Sequence, residues 1–167
     1  RDRDVAANIT EAGILRAIHL AEDTLKRAGN ARPSIAVAAL NPHAGDHGKF
    51  GREEIDIITP AIEACQRQQM DVSGPWPSDT VFLKARRGEV DAVVTMYHDQ
   101  GQIAIKLMGF ERGVTVAGGL PIPIATPAHG TAFDIAGQNK ANVSAIRQAF
   151  DLLLRMAKTH SDNKKSA

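Results

Sequence analysis

Short apolar runs alternate along the chain with stretches in which apolar residues recur every three or four positions. The first helical stretch follows Thr10, whose hydroxyl can cap it, and reaches the turn at Gly29-Asn30. Residues 34–40 and 90–96 are short, mostly apolar runs, as expected of strands buried in a sheet. This alternation predicts an α/β protein with parallel strands.

The rest of the chain continues this alternation with weaker patterns. Acidic residues lie in the first turn of a helical stretch that starts at Arg52 and ends before Gln69, and we expect Pro60 to kink or divide it. We expect Ser78 to cap a helix over residues 79–87. Strands are expected at 71–73 and 113–117, with a turn-rich segment at 74–77 and an irregular connection from 118 that has room for a short strand. Helices are expected at 102–108 and 142–158, and a disordered polar tail at 161–167. The helix at 142–158 has an apolar stripe, formed by Val143, Ile146, Phe150, Leu153 and Leu154.

The composition fits a folded protein and argues against two classes of partner. Hydrophobic residues make up 43% of the chain and charged residues 23%, both close to globular averages. Lysine plus arginine total 20 against 19 for aspartate plus glutamate, so we expect no nucleic acid or anionic lipid partner. A single cysteine, Cys65, and the absence of a long apolar run predict a reduced thiol, no membrane span and a cytoplasmic protein. Because the chain starts at Arg1 without methionine, we expect it to be a piece of a longer protein.

Two histidines, His43 and His98, each come just after an apolar run. In an open α/β sheet the carboxyl ends of the strands form the ligand crevice, so both imidazoles are expected to face one cleft. With Asp79 and Asp99 on neighbouring segments, they favour a functional site, and the pattern alone leaves open whether it is a divalent metal site or an acid/base cleft. The alternative for each histidine alone is a hydrogen-bonded side chain at a strand end, and spacing does not decide between the two. His19, His47 and His160 are interpreted as structural or solvated.

Five longer motifs occur in order along the chain: Asn41-Pro-His-Ala-Gly45, Phe50-Gly-Arg-Glu-Glu-Ile55, Gly74-Pro-Trp-Pro-Ser-Asp-Thr80, Met96-Tyr-His-Asp-Gln-Gly101 and His129-Gly-Thr-Ala132. Together they resemble the carboxy-terminal half of the 4-hydroxythreonine-4-phosphate dehydrogenase family. The resemblance implies an isocitrate/isopropylmalate dehydrogenase-like two-domain fold, a nicotinamide cofactor, a divalent metal and a homodimer with active sites at the subunit interface. It also implies a metal- and substrate-binding lobe at 1–117, which carries the dimer interface, and a segment at 118–160 that completes the cofactor lobe.

The resemblance assigns roles to individual residues of the metal site. His43 and His98 match the family's metal ligands, and Asp79 matches a carboxylate of the same site, although a helix cap worth about 1 kcal/mol would also explain Asp79. Lys106 matches a lysine that contacts the phosphorylated substrate and could assist proton transfer. The family's third metal-binding histidine would lie before residue 1. Zinc, manganese, cobalt and magnesium all remain candidates for the ion.

A second set of residues resembles the adenosine-binding loop of isocitrate and isopropylmalate dehydrogenases. A carboxylate at Asp134 would bind ribose hydroxyls and repel a 2′-phosphate, which favours NAD over NADP. The glycines of this loop can equally be turn residues, and the chain has no Gly-x-Gly-x-x-Gly fingerprint. The residues that match the cofactor site are His129, Gly130, Thr131, Ala132, Asp134 and Asn142.

The substrate pocket departs from the family pattern at two positions. Thr115 and Ile124 stand where the pyridoxal phosphate enzymes have asparagine and arginine, and losing the arginine removes a bidentate grip on an anion. The expected function is NAD- and metal-dependent oxidation, with decarboxylation, of a phosphorylated hydroxy acid such as 4-phosphooxy-threonine. Erythronate or threonate 4-phosphate are alternative substrates. A non-catalytic fragment and, with less support, a metal hydrolase remain the alternatives from other classes.

Overall fold

The computed structural model describes the backbone of residues 4–165, and their side chains except those of Phe110 and residues 160–165. The described chain divides into two compact units, one of residues 4–26 and 31–102 and the other of residues 27–30 and 103–165. The unit boundary after Gln102 precedes the lobe boundary expected after residue 117, and the roles assigned to those lobes stay predictions. The side chain of His160 and the residues 166–167 of the expected tail lie outside the described residues.

A three-stranded parallel sheet forms the centre of the first unit. Its strands are β1 (Ser34–Ala38), β2 (Asp71–Trp76) and β3 (Ala92–Val94), in the order β2-β1-β3. The central strand β1 is almost fully buried because helices and both neighbouring strands cover it. The predicted α/β class with parallel strands is therefore confirmed. Around β1 packs a core that includes Ile14, Ile18, Ile58, Ile62 and Cys65.

The second strand runs further than its sequence suggests. The segment 74–77 contains one glycine and two prolines and was expected to be a turn, yet β2 continues through Trp76. The pairing register with β1 shifts between Ala36 and Ala38, which accommodates Gly74. Gly74 has φ +134°, and a Cβ there would lie 2.5 Å from the carbonyl oxygen of Val37. The turn prediction was wrong because glycine permits this close approach within an irregular strand.

The helices of the first unit follow the expected order. After a single turn, α1 (Val5–Asn8), the helix α2 (Glu11–Arg27) begins with Thr10 Oγ1 accepting a hydrogen bond from the Gly13 amide at 3.1 Å, as predicted. The next helical stretch is divided, also as predicted: a π-helical turn (Glu54–Ile58) precedes α3 (Thr59–Arg67), and Pro60 lies in the first turn of α3, where proline is tolerated.

The fourth helix, α4 (Val81–Arg86), is shorter than expected. Thr80 occupies its N-cap position and no side chain makes a capping hydrogen bond. The predicted cap at Ser78 is therefore wrong, and Asp79 lies in the turn ahead of the helix. The alternative interpretation of Asp79 as a helix cap is therefore not supported, because Asp79 makes no capping hydrogen bond to α4.

The second unit contains an antiparallel hairpin covered by a helix. The strands β4 (Val114–Ala117) and β5 (Ile124–Pro127) pair with each other, and the long helix α6 (Ser144–Lys165) packs on them. The helix α5 (His98–Gly109) leads into this unit and starts earlier than the predicted residue 102. The backbone of α6 continues into the segment expected to be a disordered tail.

The buried face of α6 is formed by small residues and one methionine. Ala145, Ala149 and Met156 are buried, at 1%, 1% and 2% exposed. The predicted apolar stripe of this helix is largely exposed, with Ile146 at 51% and Phe150 at 61%. Small side chains fit the close contact between a helix and a hairpin, whereas the larger stripe faces away from it. No helix in the described part of the chain is both long enough and apolar enough to cross a membrane.

Candidate functional site

The first predicted metal ligand, His43, lies in a strained turn at the end of β1. The turn Pro42–Gly48 contains a run of residues with positive φ, which L-amino acids rarely adopt. His43 (φ 53°), Ala44 (φ 53°), Asp46 (φ 41°) and His47 (φ 56°) are all left-handed without being glycine. Each such residue costs about 1 to 2 kcal/mol, so neighbouring groups must hold the turn in place. His43 is exposed, and its ring centroid lies 6.1 Å from that of Phe50.

A buried carboxylate, that of Glu54, holds the start of this turn. Glu54 is only 3% exposed, and its Oε1 accepts hydrogen bonds from the backbone amides of Leu40 and Asn41, both at 2.8 Å. Its Oε2 accepts a hydrogen bond from Asn41 Nδ2 at 2.9 Å. Gly45 is required beside it, since a Cβ there would lie 2.7 Å from Oε2. Sequence reasoning missed this residue because Glu53 and Glu54 are alike as acidic residues near a helix start, and only the fold distinguishes them.

The second predicted ligand, His98, is the first residue of α5 and is exposed. Its Nδ1 lies 2.7 Å from Oδ1 of Asp99. With the proton on Nδ1 donated to this carboxylate, Nε2 carries the lone pair that a metal ion requires. The alternative prediction for His98 was a hydrogen bond that holds the ring at a strand end. In the structure the ring is instead held by the side chain of the next residue, Asp99. This pairing fits a metal-binding imidazole.

The side chain of Gln100 connects the two histidine-bearing segments. Its Nε2 donates to the carbonyl oxygen of Ala39 at 2.9 Å, and its Oε1 accepts from the amide of Met96 at 2.9 Å. Because β1 and β3 are adjacent and parallel, both segments leave the same edge of the sheet. Gln100 therefore ties the two connections together at that edge. The sequence predicted that both histidines lie at this edge of the sheet, but it did not predict the hydrogen bonds of Gln100.

The third predicted member of the metal site, Asp79, is exposed in the turn between β2 and α4. Among the described side chains, which end at residue 159, no group of three or more histidines, cysteines, aspartates or glutamates is arranged to hold a metal ion. His43, His98 and Asp79 therefore do not form a complete three-ligand site within one copy of the chain. That His43 and His98 bind one ion stays a prediction.

In the second unit, several predicted cofactor residues line one cavity. The cavity has a volume of about 430 Å³, within the usual range for small-molecule sites. His129, Gly130, Ala132 and Asn142 line it together with Glu111, Ile135 and Ala141.

Two hydrogen bonds shape the edge of this cavity. His129 Nδ1 lies 2.8 Å from the carbonyl oxygen of Gly130, and Asn142 Oδ1 accepts from the amide of Ser144 at 2.9 Å at the start of α6. Thr131 and Asp134 do not line the cavity, and both are exposed. The acidic residue that does line it is Glu111, which sequence reasoning did not consider.

The predicted substrate residues lie on the exposed face of the hairpin. Thr115 pairs with Thr126, and Ala117 pairs with Ile124. Thr115 and Ile124 are therefore diagonal neighbours on one face, which the sequence did not reveal. Lys106 is exposed in the last turn of α5.

Comparisons with known proteins agree with the motifs. The family described as "Pyridoxal phosphate biosynthetic protein PdxA" matches residues 3–153. A 4-hydroxythreonine-4-phosphate dehydrogenase of Beijerinckia indica is 53% identical over 142 residues, which are 85% of this chain and 42% of that protein. A D-threonate 4-phosphate dehydrogenase of Salmonella typhimurium is 48% identical over 149 residues, which are 89% of this chain and 46% of that protein.

A solved structure shows the same likeness. The crystal structure of 4-hydroxythreonine-4-phosphate dehydrogenase from Klebsiella pneumoniae superposes with a TM-score of 0.81 at 44% identity, covering 93% of this chain and 47% of that one. The chain therefore spans less than half the length of these relatives.

Proposed function

Because the chain belongs to the pyridoxal phosphate biosynthetic protein PdxA family, we propose that it forms part of a dehydrogenase for a phosphorylated hydroxy acid. The observation that carries this proposal is the cavity in the second unit, where four of the six predicted cofactor residues line one space of about 430 Å³. The two-domain fold would be of the isocitrate/isopropylmalate dehydrogenase type. A metal hydrolase would leave this cavity without a role.

We propose NAD as the cofactor. Glu111 lines the cavity and Asp134 lies in the same loop region as the other predicted residues. The carboxylate of Glu111 would repel the additional 2′-phosphate of NADP, and the family resemblance gives the same role to Asp134, whose side chain does not line the cavity. His129 and Asn142 would contact the adenosine part of the bound cofactor, which accepts a hydride from the substrate.

We also propose a divalent metal ion held by the two exposed imidazoles. Asp99 orients His98 so that Nε2 is available, and Glu54 holds the turn that carries His43. His43 and His98 would bind an ion such as zinc, manganese, cobalt or magnesium, with Asp79 as a third or neighbouring carboxylate. When bound, such an ion acts as a Lewis acid on the hydroxyl that is oxidised. We also propose a homodimer with active sites at the subunit interface, as the family resemblance implies.

The remaining residues would bind the substrate. Lys106 carries a positive charge suited to the phosphate group. Thr115 and Ile124 offer a small hydroxyl and an apolar surface on the hairpin face, and neither supplies a cation. This favours D-threonate or erythronate 4-phosphate as a second candidate beside 4-phosphooxy-threonine, and a relative named D-threonate 4-phosphate dehydrogenase agrees with it. We place the reaction, oxidation followed by decarboxylation, in the cytoplasm.

The test compares NADH formation by the 167-residue chain with formation by a chimera that carries the amino-terminal half of the Salmonella typhimurium relative. Each protein receives Mn²⁺ with 4-phosphooxy-threonine or D-threonate 4-phosphate. We expect activity in the chimera, loss of at least 100-fold in its His98→Ala variant, and a preference for NAD over NADP. Activity of the short chain would refute the view that it is a non-catalytic fragment, and an inactive chimera that binds neither dinucleotide would overturn the proposal.

A further inference from the structure

We infer that Glu54 is a positioning residue for His43: its buried carboxylate fixes the left-handed turn that presents the imidazole to the metal ion. The inference rests on the proposed function, since it takes His43 to be a metal ligand. Glu54 itself would not touch the ion. It would act only through the backbone that leads to His43.

The first support is where the hydrogen bonds of Glu54 go. They reach the amides of Leu40 and Asn41 and the side chain of Asn41, which stand immediately before Pro42 and His43. Pro42 has a fixed φ, so a chain that is held at Asn41 has little freedom left when it reaches His43. The carboxylate thus controls the direction in which the turn starts.

The second support is that the turn closes around the same carboxylate. Gly45, two residues beyond His43, lies so near that no side chain would fit between it and Oε2. The carbonyl oxygen of Gly45 then accepts a hydrogen bond from the amide of Phe50 at 3.2 Å. The carboxylate therefore lies beside the chain on both sides of the histidine, at a run of residues whose positive φ values need support from neighbouring groups.

The third support is that the neighbouring glutamate has a lesser set of contacts. Glu53 also accepts a hydrogen bond from Asn41 Nδ2, at 2.7 Å, but it is more exposed, and its described hydrogen bond reaches a side chain rather than the backbone. The two residues therefore form a graded pair, in which Glu54 should matter much more than Glu53 for the position of His43.

The experiment uses Glu54→Gln, which keeps the shape of the side chain. One oxygen can still accept both backbone amides, but the new amide group would place a donor against the Asn41 Nδ2 donor.

Zn²⁺ alone is titrated into the 167-residue chain, and binding is followed through the imidazole nitrogen signals by NMR. We expect wild-type protein to show zinc-dependent shifts at His43, and E54Q to bind Zn²⁺ at least tenfold more weakly at that ring. Glu63→Gln is the matched control, since this exposed residue of α3 lies outside the turn, and its affinity should change less than twofold.

A double-mutant comparison separates positioning from a merely structural role. His43→Ala should weaken zinc binding, and adding Glu54→Gln to it should weaken binding no further. If E54Q lowers the melting temperature but leaves the zinc affinity of the folded protein unchanged, the inference is wrong. If wild-type protein shows no zinc-dependent change at His43, or if H43A binds as well as wild type, the assignment of His43 as a metal ligand in the proposed function fails, whatever E54Q does.

Two milder variants, at Glu53 and Asn41, test the inference if E54Q does not fold. Glu53→Gln and Asn41→Ala then replace it, and each should lower the zinc affinity about threefold while far-UV circular dichroism remains that of wild type. Wild-type affinity in both of these variants would overturn the inference.

Discussion

At the scale of single residues, the thiol of Cys65 links stability to pH. Cys65 is fully buried in α3, and burial raises the pKa of its thiol, with the negative charge of Glu22 adding to the effect. The unfolded chain therefore releases this proton at a lower pH than the folded protein. The stabilising contribution is present below the unfolded thiol pKa of about 8.5 and is lost as the pH rises through the raised folded value.

We expect the melting temperature of the wild-type protein to fall between about pH 8 and pH 10 more steeply than that of Cys65→Ala. The variant should be less stable at pH 7 because it leaves a small cavity, so the slopes are compared rather than the absolute values. Thermal unfolding by circular dichroism measures them. Parallel slopes for the two proteins would show that the thiol proton does not contribute.

The same scale shows what a sequence can and cannot reveal about a site. The burial of Cys65 followed from its place in a helical stretch, and the positions of His43 and His98 after β1 and β3 followed from the apolar runs. The roles of Glu54 and Gln100 did not follow. Their hydrogen bonds join segments that are distant along the chain, and nothing in local spacing specifies such partners.

At the scale of secondary-structure elements, α6 shows that periodicity identifies a helix more securely than its buried face. The predicted stripe of large apolar residues has the right spacing, yet the residues that are buried where α6 packs in this unit include Ala145 and Ala149. A sequence pattern identifies apolar side chains, whereas close packing between a helix and a hairpin favours small ones.

The extent of β2 was underestimated for a different reason. The strand was predicted to end at residue 73 because the glycine and prolines that follow are typical of turns, but it continues to Trp76.

This packing gives a test on neighbouring residues of α6. Ala149→Leu should destabilise the chain by about 1 to 3 kcal/mol, because additional carbons must enter a filled contact. Phe150→Ser, one residue further on the exposed face, should change stability by less than about 0.5 kcal/mol. Urea denaturation of both variants measures the free energies of unfolding. A larger loss for F150S than for A149L would show that the stripe is the buried face after all.

At the scale of the whole molecule, the two units differ in how much apolar surface they bury. The first unit contains the buried strand β1 and the isoleucine core around it. In the described part of the second unit, the buried apolar side chains are Ala145, Ala149 and Met156, whereas Leu107 is 84% and Phe133 is 82% exposed. Burial is the main favourable term in folding, so the second unit has the smaller share of internal stabilisation.

Hydrogen exchange should therefore separate the units in the isolated chain. We expect the backbone amides of β1 and β3 to exchange at least about tenfold more slowly than those of β4, β5 and α6, because the hairpin and its helix open locally at a lower free energy. Saturating NAD⁺ should then slow exchange over residues 129–142 selectively, because a ligand that binds only the folded form stabilises it. Exchange measured by mass spectrometry on proteolytic fragments gives both results from one sample. If α6 were as slow as β1 without ligand, the exposed apolar face would have to be covered in solution, and sedimentation of the same sample would show whether a second copy covers it.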